Sequence, residues 1–157
     1  MSTVVILTVV SAVLAGLVAG VFLAFSTFVM QGLARPAAPI GVAAMQGINA
    51  AAPHPLFMLP LFGGPVVGVV AAVAALAGDG DVADAWVVGG AVAGLVPAAV
   101  TVAFHVPRNL ALDRVDPRSD DAPAAWARYL REWVAGNHLR TLGGVVAAVA
   151  FTVALVA

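Results

Sequence analysis

From Val4 to Met30 the chain runs 27 residues without one charged side chain. No water-soluble fold accommodates such a run easily. A helix rises 1.5 Å per residue, so roughly 20 apolar residues cross a hydrocarbon core of about 30 Å. Three further runs meet that requirement, about Pro55 to Ala77, Ala83 to His105 and His138 to Ala157. Each is continuously apolar, whereas membrane-barrel strands alternate apolar with polar over about ten residues. The expected architecture is all-α: a single four-span membrane domain over residues 1–157, a transmembrane four-helix bundle. A mean hydropathy of +1.06 agrees with this. Only the α-amine supplies positive charge ahead of the first run, and the run is too long for a signal-peptide core, so it is expected to stay attached.

Charge placement sets the expected orientation. All the basic residues, Arg35, Arg108, Arg114, Arg118, Arg128, Arg131 and Arg140, lie in or beside the Gln31 to His54 and Val106 to Asn137 loops. Four spans put those loops on one side, and the positive-inside rule makes that side cytoplasmic. Both termini are then expected outside, with the acidic turn carrying Asp79, Asp81 and Asp84. The arginines favour anionic lipid head groups, but Asp113, Asp116, Asp120, Asp121 and Glu132 among them argue against a nucleic-acid surface. Cysteine is absent, which excludes a disulfide, a thiolate nucleophile and cysteine-ligated metal.

Small residues suggest tight packing. Gly16 and Gly20, Gly64 and Gly68, and Gly90 and Gly94 form GxxxG pairs on three spans, a spacing that lets helix backbones approach closely in lipid. Those faces serve packing within the chain or between copies in a homo-oligomer. Pro65 and Pro97 lie inside spans and are expected to kink them. The two halves show no repeat, which argues against a repeat-built transporter.

The second loop reads as helix. After "DPRSDDAP", Asp120 or Asp121 can cap and Pro123 can open a helix that meets no breaker until Gly136. This predicts an interfacial helical extension before the fourth span. At 100° per residue, Trp126, Tyr129, Trp133, Asn137 and Arg140 fall within roughly 80° of one another and form one stripe entering the membrane. His138 lies about 100° off that stripe.

Topology brings the other unusual residues to the same face. Gln46, Asn49 and His54 precede the second span, His105 and Asn109 end the third, and Asn137, His138 and Arg140 begin the fourth. Each also has an ordinary role: tryptophan and tyrosine anchor at interfaces, arginine snorkels, and asparagine caps helices. The histidines form no i, i+3 or i+4 pair with another His, Glu or Asp, so no metal site is expected. Motifs for hydrolase, nucleotide or zincin chemistry are also missing.

Four phrases resemble a known family. "AGVFLAFSTFVMQGLAR", "AMQGIN", "HVPRNLAL" and "WARYLREWVAGNHLRTL" together look like the anthrone oxygenase family of small membrane proteins. The similarity runs in order along nearly the whole chain, and the last two phrases are the most specific. The resemblance implies oxidation of a polycyclic anthrone to an anthraquinone by O2, with no cofactor required. An anthrone's CH2 is acidic because its anion is an extended aromatic enolate, and that anion can pass an electron to O2. The protein then needs a base, donors for the enolate oxygen and an apolar cavity.

His138 is the expected base and His54 the second choice, since neutral imidazole titrates near pH 7. Arg140, Asn137 and Asn49 are expected donors. Trp133, Tyr129, Trp126 and Phe25 are expected to hold the substrate rings, with Asn109 and His105 beside them. A non-catalytic module that binds a hydrophobic quinone or lipid, or scaffolds a complex, would use the same pocket without a base. Transport fits least, because the span interiors are almost free of polar residues apart from Ser11 and Thr101.

Overall fold

The computed structural model describes residues 2–78 and 83–157. Five helices are present among them: α1 Thr3–Ala34, α2 Ala38–Ala51, α3 Pro55–Leu76, α4 Asp84–Leu112 and α5 Ala122–Ala154. There is no strand among the described residues. Helices α1, α3 and α4 are long and apolar enough to cross a membrane, as expected of an integral membrane protein. The fourth expected span falls on the C-terminal half of α5; Arg128, Arg131 and Glu132 lie before it, and Arg140 lies just inside its start.

Side-chain size is distributed as lipid solvent demands. Large apolar groups such as Leu17, Phe28, Val73, Val92 and Leu142 are exposed on the outer surface. The interior is built mainly from Ala71, Ala72, Ala75, Ala91, Ala147 and Ala154, closed by Val4, Val87 and Phe151. With lipid as apolar as leucine, close backbone approach supplies the packing energy, and small residues permit it. Two hydroxyls in the first span bond to their own helix: Thr8 donates to Val4 O and Ser11 to Leu7 O, both at 2.8 Å.

Two of the three GxxxG pairs pack inside the chain. Gly68 and Gly90 both lie against the Phe151 ring, and Gly64 faces Leu14. Gly16 and Gly20 meet nothing within 4 Å and face outward. Helix α5 runs between α1 and α4, while α3 packs on both of those helices from the other side. The start of α4 meets the end of α5, where Ala83 N donates to Ala154 O at 3.3 Å. Asp84 opens α4, and Asp79 and Asp81 of the expected acidic turn lie outside the described residues.

At the opposite end, called here the arginine end, the structure differs from the sequence-based expectation in three respects. The expected loop from Gln31 to His54 contains helix α2. Its Gly41, Val42 and Met45 are buried against Trp126, Tyr129 and Trp133 of α5 and Met30 of α1. The extension and the segment expected as the fourth span are one helix of 33 residues, because Gly136 does not break it. A Cβ on Gly136 would lie 2.5 Å from the Phe104 ring, so this glycine marks a close approach of α5 to α4. The first and third spans also continue beyond their expected ends, to Ala34 and Leu112.

Three π-helical turns occur at this end: Phe25–Val29 in α1, Leu59–Gly63 in α3 and Thr101–His105 in α4. Those in α3 and α4 adjoin Pro65 and Pro97, whose missing N–H groups already interrupt the helical ladder. A π turn re-aims side chains and is frequent at functional sites. Here the turns of α1 and α4 present Ser26 and Thr101 to the polar stripe of α5.

Candidate functional site

The five residues of the α5 stripe, Trp126, Tyr129, Trp133, Asn137 and Arg140, are all buried. Asn137 is fully enclosed; its Nδ2 donates to Phe22 O and to Ser26 Oγ, both at 2.7 Å. Its Oδ1 accepts from Arg140 Nη2 at 2.8 Å. Arg140 Nη1 donates to Thr101 Oγ1 at 3.1 Å, and the hydroxyl of Thr101 in turn donates to Pro97 O. The guanidinium carbon sits 4.0 Å from the centre of the Phe22 ring and 4.8 Å from that of Trp133.

Arg140 therefore has only neutral partners. It is 4% exposed, and its Nε has no hydrogen-bond partner. The ion pair among the described residues is elsewhere, between Arg108 Nε and Glu132 Oε2 at 2.8 Å. Burying a cation without a counter-charge is expensive, and ring faces and neutral oxygens offset only part of that cost. Such a cation in an apolar surround strongly favours an anion formed beside it.

A second network leads from this centre toward the surface. Asn109 Oδ1 accepts from Tyr129 Oη at 2.8 Å and from Trp133 Nε1 at 3.1 Å. Trp126 stacks on Tyr129 with ring centres 5.7 Å apart, and Phe25 lies tilted on Trp133 at 5.6 Å. Burial pushes the Tyr129 phenol well above its ordinary value, chiefly by desolvation of the charged form. Helix α2 braces this network from outside: Gln46 Nε2 donates to Leu112 O and Val115 O, and Asn49 Nδ2 to Asp113 Oδ1 at 3.3 Å. A cleft of about 340 Å³ opens between α4 and α5, lined by Tyr129, Arg108 and Glu132 among others. Tyr129 thus lines both the cleft and the aromatic cluster.

The structure separates the three histidines. His105 is completely buried at the cluster, with Nε2 3.1 Å from Trp133 O, Nδ1 3.3 Å from Val100 O, and its ring edge-on to Trp133. Both nitrogens face carbonyl oxygens, of which a neutral ring can donate to only one, and the ring joins the π turn of α4 to α5. His54 is exposed and caps α3, its Nδ1 accepting from Leu56 N at 3.3 Å. His138 is exposed on the other flank of α5, in keeping with its angle from the stripe. Among the described residues no three His, Asp or Glu side chains form a metal-binding group.

Of the residues expected from sequence, Trp126, Tyr129, Trp133, Asn137, Arg140, Asn109, His105 and Phe25 come together. Asn49 lies at the margin, and His54 and His138 lie away from the cluster. Sequence reasoning missed Phe22 and Ser26, four residues apart on one face of α1, and gave Thr101 no role in the site. For Ser26 and Thr101 the available signal was a hydroxyl in an otherwise apolar run; Phe22 gave none.

An α-helical membrane protein with an unpaired arginine in a buried aromatic box, beside a cleft that shares Tyr129 with the aromatic cluster, is the class that this fold and site define. A family model described as Anthrone oxygenase matches residues 54–150, which include every α5 residue of the site. The match covers more than half of the chain, and the chain belongs to the anthrone oxygenase family. No curated protein and no solved structure shows significant similarity to it.

Proposed function

We propose that the protein is a membrane-embedded oxygenase of anthrone-like polycycles that forms an enolate and lets it react with O2 without a cofactor. The observation that carries this reading is the buried, unpaired Arg140. The polycycle approaches through the cleft beside Tyr129, whose volume of about 340 Å³ falls in the range of ligand pockets. Its rings lie against Tyr129, Trp133 and Phe25, and its carbonyl oxygen takes a hydrogen bond from the guanidinium, with Asn137 holding that group in place.

Arg140 then makes the substrate a stronger acid by stabilising the enolate in an apolar surround, an effect worth several kcal/mol in comparable sites. This reading puts acidification on Arg140 rather than on a histidine base. His105 is completely enclosed with both ring nitrogens facing backbone carbonyls, and His54 and His138 are exposed, away from the cluster. The proton leaves to water. The enolate gives one electron to O2, the resulting pair combines to a carbon-bound peroxide anion that takes a proton back from water, and loss of water from the hydroperoxide leaves the second quinone carbonyl. One O2 is consumed and one water released per turnover.

The orientation belongs to the same proposal. Four spans, with the C-terminal half of α5 as the last, put the arginine end in the cytoplasm and both termini outside. Association of copies, if it uses a GxxxG face, falls to the outward Gly16 and Gly20.

The test is O2 consumption with mass detection of product, using purified protein in detergent after chelation and a panel of anthrones. Quinone formation above the uncatalysed rate that is lost in Arg140→Ala supports the reading. Equal rates with and without protein across the panel would sink it.

A further inference from the structure

The bundle contains a narrow seam along its axis, about 20 Å³ in volume, that the site described above does not use. Gly64 of α3, Gly94 of α4 and Gly144 of α5 line it, and their missing side chains leave the space open. Phe151 lines it toward the far end of the bundle. Toward the arginine end it is lined by Val18 and Gly144. Val18 lies one helical turn before Phe22, and Gly144 lies one turn beyond Arg140. One turn is about 5.4 Å, so the end of the seam and the aromatic box are neighbours.

We propose that this seam is a binding site for O2, the second substrate of the proposed oxygenase, and therefore that it rests on that reading. Volume restricts the occupant to a molecule of about water's size, because a cavity needs roughly 10–15 Å³ to hold one water. Chemistry then favours an apolar gas. A buried water needs two to four polar partners, and the polar side chain here, Ser11, already donates to Leu7 O. The remaining lining side chains are those of alanine, valine, leucine, proline and phenylalanine, beside the glycines. A diatomic apolar molecule requires no partner and concentrates in the hydrocarbon core that surrounds the bundle. The polycycle is far too large for the seam, so the two substrates approach from different directions. The carbon-centred anion and O2 then meet beside Arg140, where the superoxide formed by electron transfer is also stabilised.

The binding test uses protein in lipid nanodiscs with methyl-labelled valine, leucine and methionine under dissolved O2. Val18 and Leu61 line the seam, and Val42 and Met45 are comparably buried without lining it. Paramagnetic relaxation is expected several-fold larger at the first pair. Gly94→Ala should remove the difference. Its new Cβ would stand 3.8 Å from Ala147 Cβ, an ordinary contact, so the helix packing is retained. Equal relaxation at both pairs, or a difference that survives Gly94→Ala, overturns the site.

The kinetic arm separates this proposal from the function on which it rests. Gly94→Ala is expected to raise KM for O2 about three-fold or more without a matching rise for the anthrone, the signature of lost binding for one substrate. Val92→Ala, on the lipid-facing side of the same helix, should change neither. An unchanged KM for O2 overturns the seam as the source of co-substrate. Absence of turnover in wild type overturns the co-substrate role together with the proposed function, while the relaxation measurement still decides whether the seam takes gas.

Discussion

Arg140 and Asn137 share one hydrogen bond of 2.8 Å, and the same Asn137 amide holds α1 through Phe22 O and Ser26 Oγ. The carboxamide is thus fixed in both directions: its nitrogen must face the acceptors on α1, and its oxygen must face the guanidinium. A neutral residue in this place positions the cation without neutralising it.

Replacing Arg140 should separate activity from stability. Arg140→Met keeps much of the apolar volume and removes a costly buried charge, so its thermal unfolding in detergent should be unchanged or shifted upward. Anthrone turnover should fall by about 10²- to 10³-fold, as when one oxyanion donor is removed elsewhere. Retained turnover in a folded Arg140→Met protein would remove Arg140 from the chemistry.

Asn137→Asp tests whether the charge must be free. The carboxylate would sit where the amide oxygen now accepts from Arg140 and would supply the counter-ion that the site lacks. The expected result is turnover reduced by about 100-fold or more, because the pair no longer presents net positive charge to the substrate, with lowered thermal stability because a carboxylate oxygen would face Phe22 O where the amide nitrogen now donates. Turnover within a factor of about three of wild type would show that neither the uncompensated charge nor the α1 anchoring matters to the reaction.

The histidines give the opposite expectation. His138→Ala and His54→Ala should each retain turnover within about two-fold, since both side chains are exposed and away from the cluster. His105→Ala should lower thermal stability, because it removes the one N–H that a neutral ring donates to Trp133 O or Val100 O and opens a void beside Trp133. A loss of turnover confined to His138→Ala would restore that residue as the base.

These contrasts show what was readable in the chain. The apolar runs of α1, α3 and α4 are local properties and were legible directly. The stripe from Trp126 to Arg140 was legible because helical periodicity fixes which residues share a face. Helix α2 was not: its apolar face is narrow, and its burial depends on Trp126 and Met30 from distant parts of the chain. Gly136 was misread for a related reason, since a glycine that breaks a helix and one that admits a neighbouring ring look alike until Phe104 is placed. The π turns, and with them the roles of Ser26 and Thr101, arise from packing between helices and leave no periodic trace.

The close approach at Gly136 makes a stability prediction. Gly136→Ala gains the better helix former by about 1 kcal/mol, but its Cβ would fall 2.5 Å from Phe104 and 2.9 Å from His105. Overpacking of that kind typically costs about 1–3 kcal/mol. The melting temperature in detergent is therefore expected to fall. Gly16→Ala, with nothing within 4 Å, should leave it unchanged or raise it. Equal effects of the two substitutions would mean that α5 does not pack on α4 at Phe104 as described.

Tyr129 offers a direct titration, because it is the one tyrosine in the chain. Its phenol is buried and donates to Asn109 Oδ1, and burial raises its folded pKa above the ordinary value of about 10. Folding therefore favours the neutral form. Its contribution to stability is fully present below the unfolded pKa and is lost as pH rises through the folded one. Tyrosinate absorbance should remain low in folded protein at a pH where denatured protein is half ionised. It should then rise at higher pH, together with loss of helical signal if ionisation drives the α4 and α5 ends apart. Asn109→Ala removes the acceptor without exposing the ring fully, so the folded titration should remain displaced upward, since desolvation is the larger cause. Coincident titration of folded and denatured wild-type protein would place the Tyr129 hydroxyl in water and open the network that joins the cleft to Trp133.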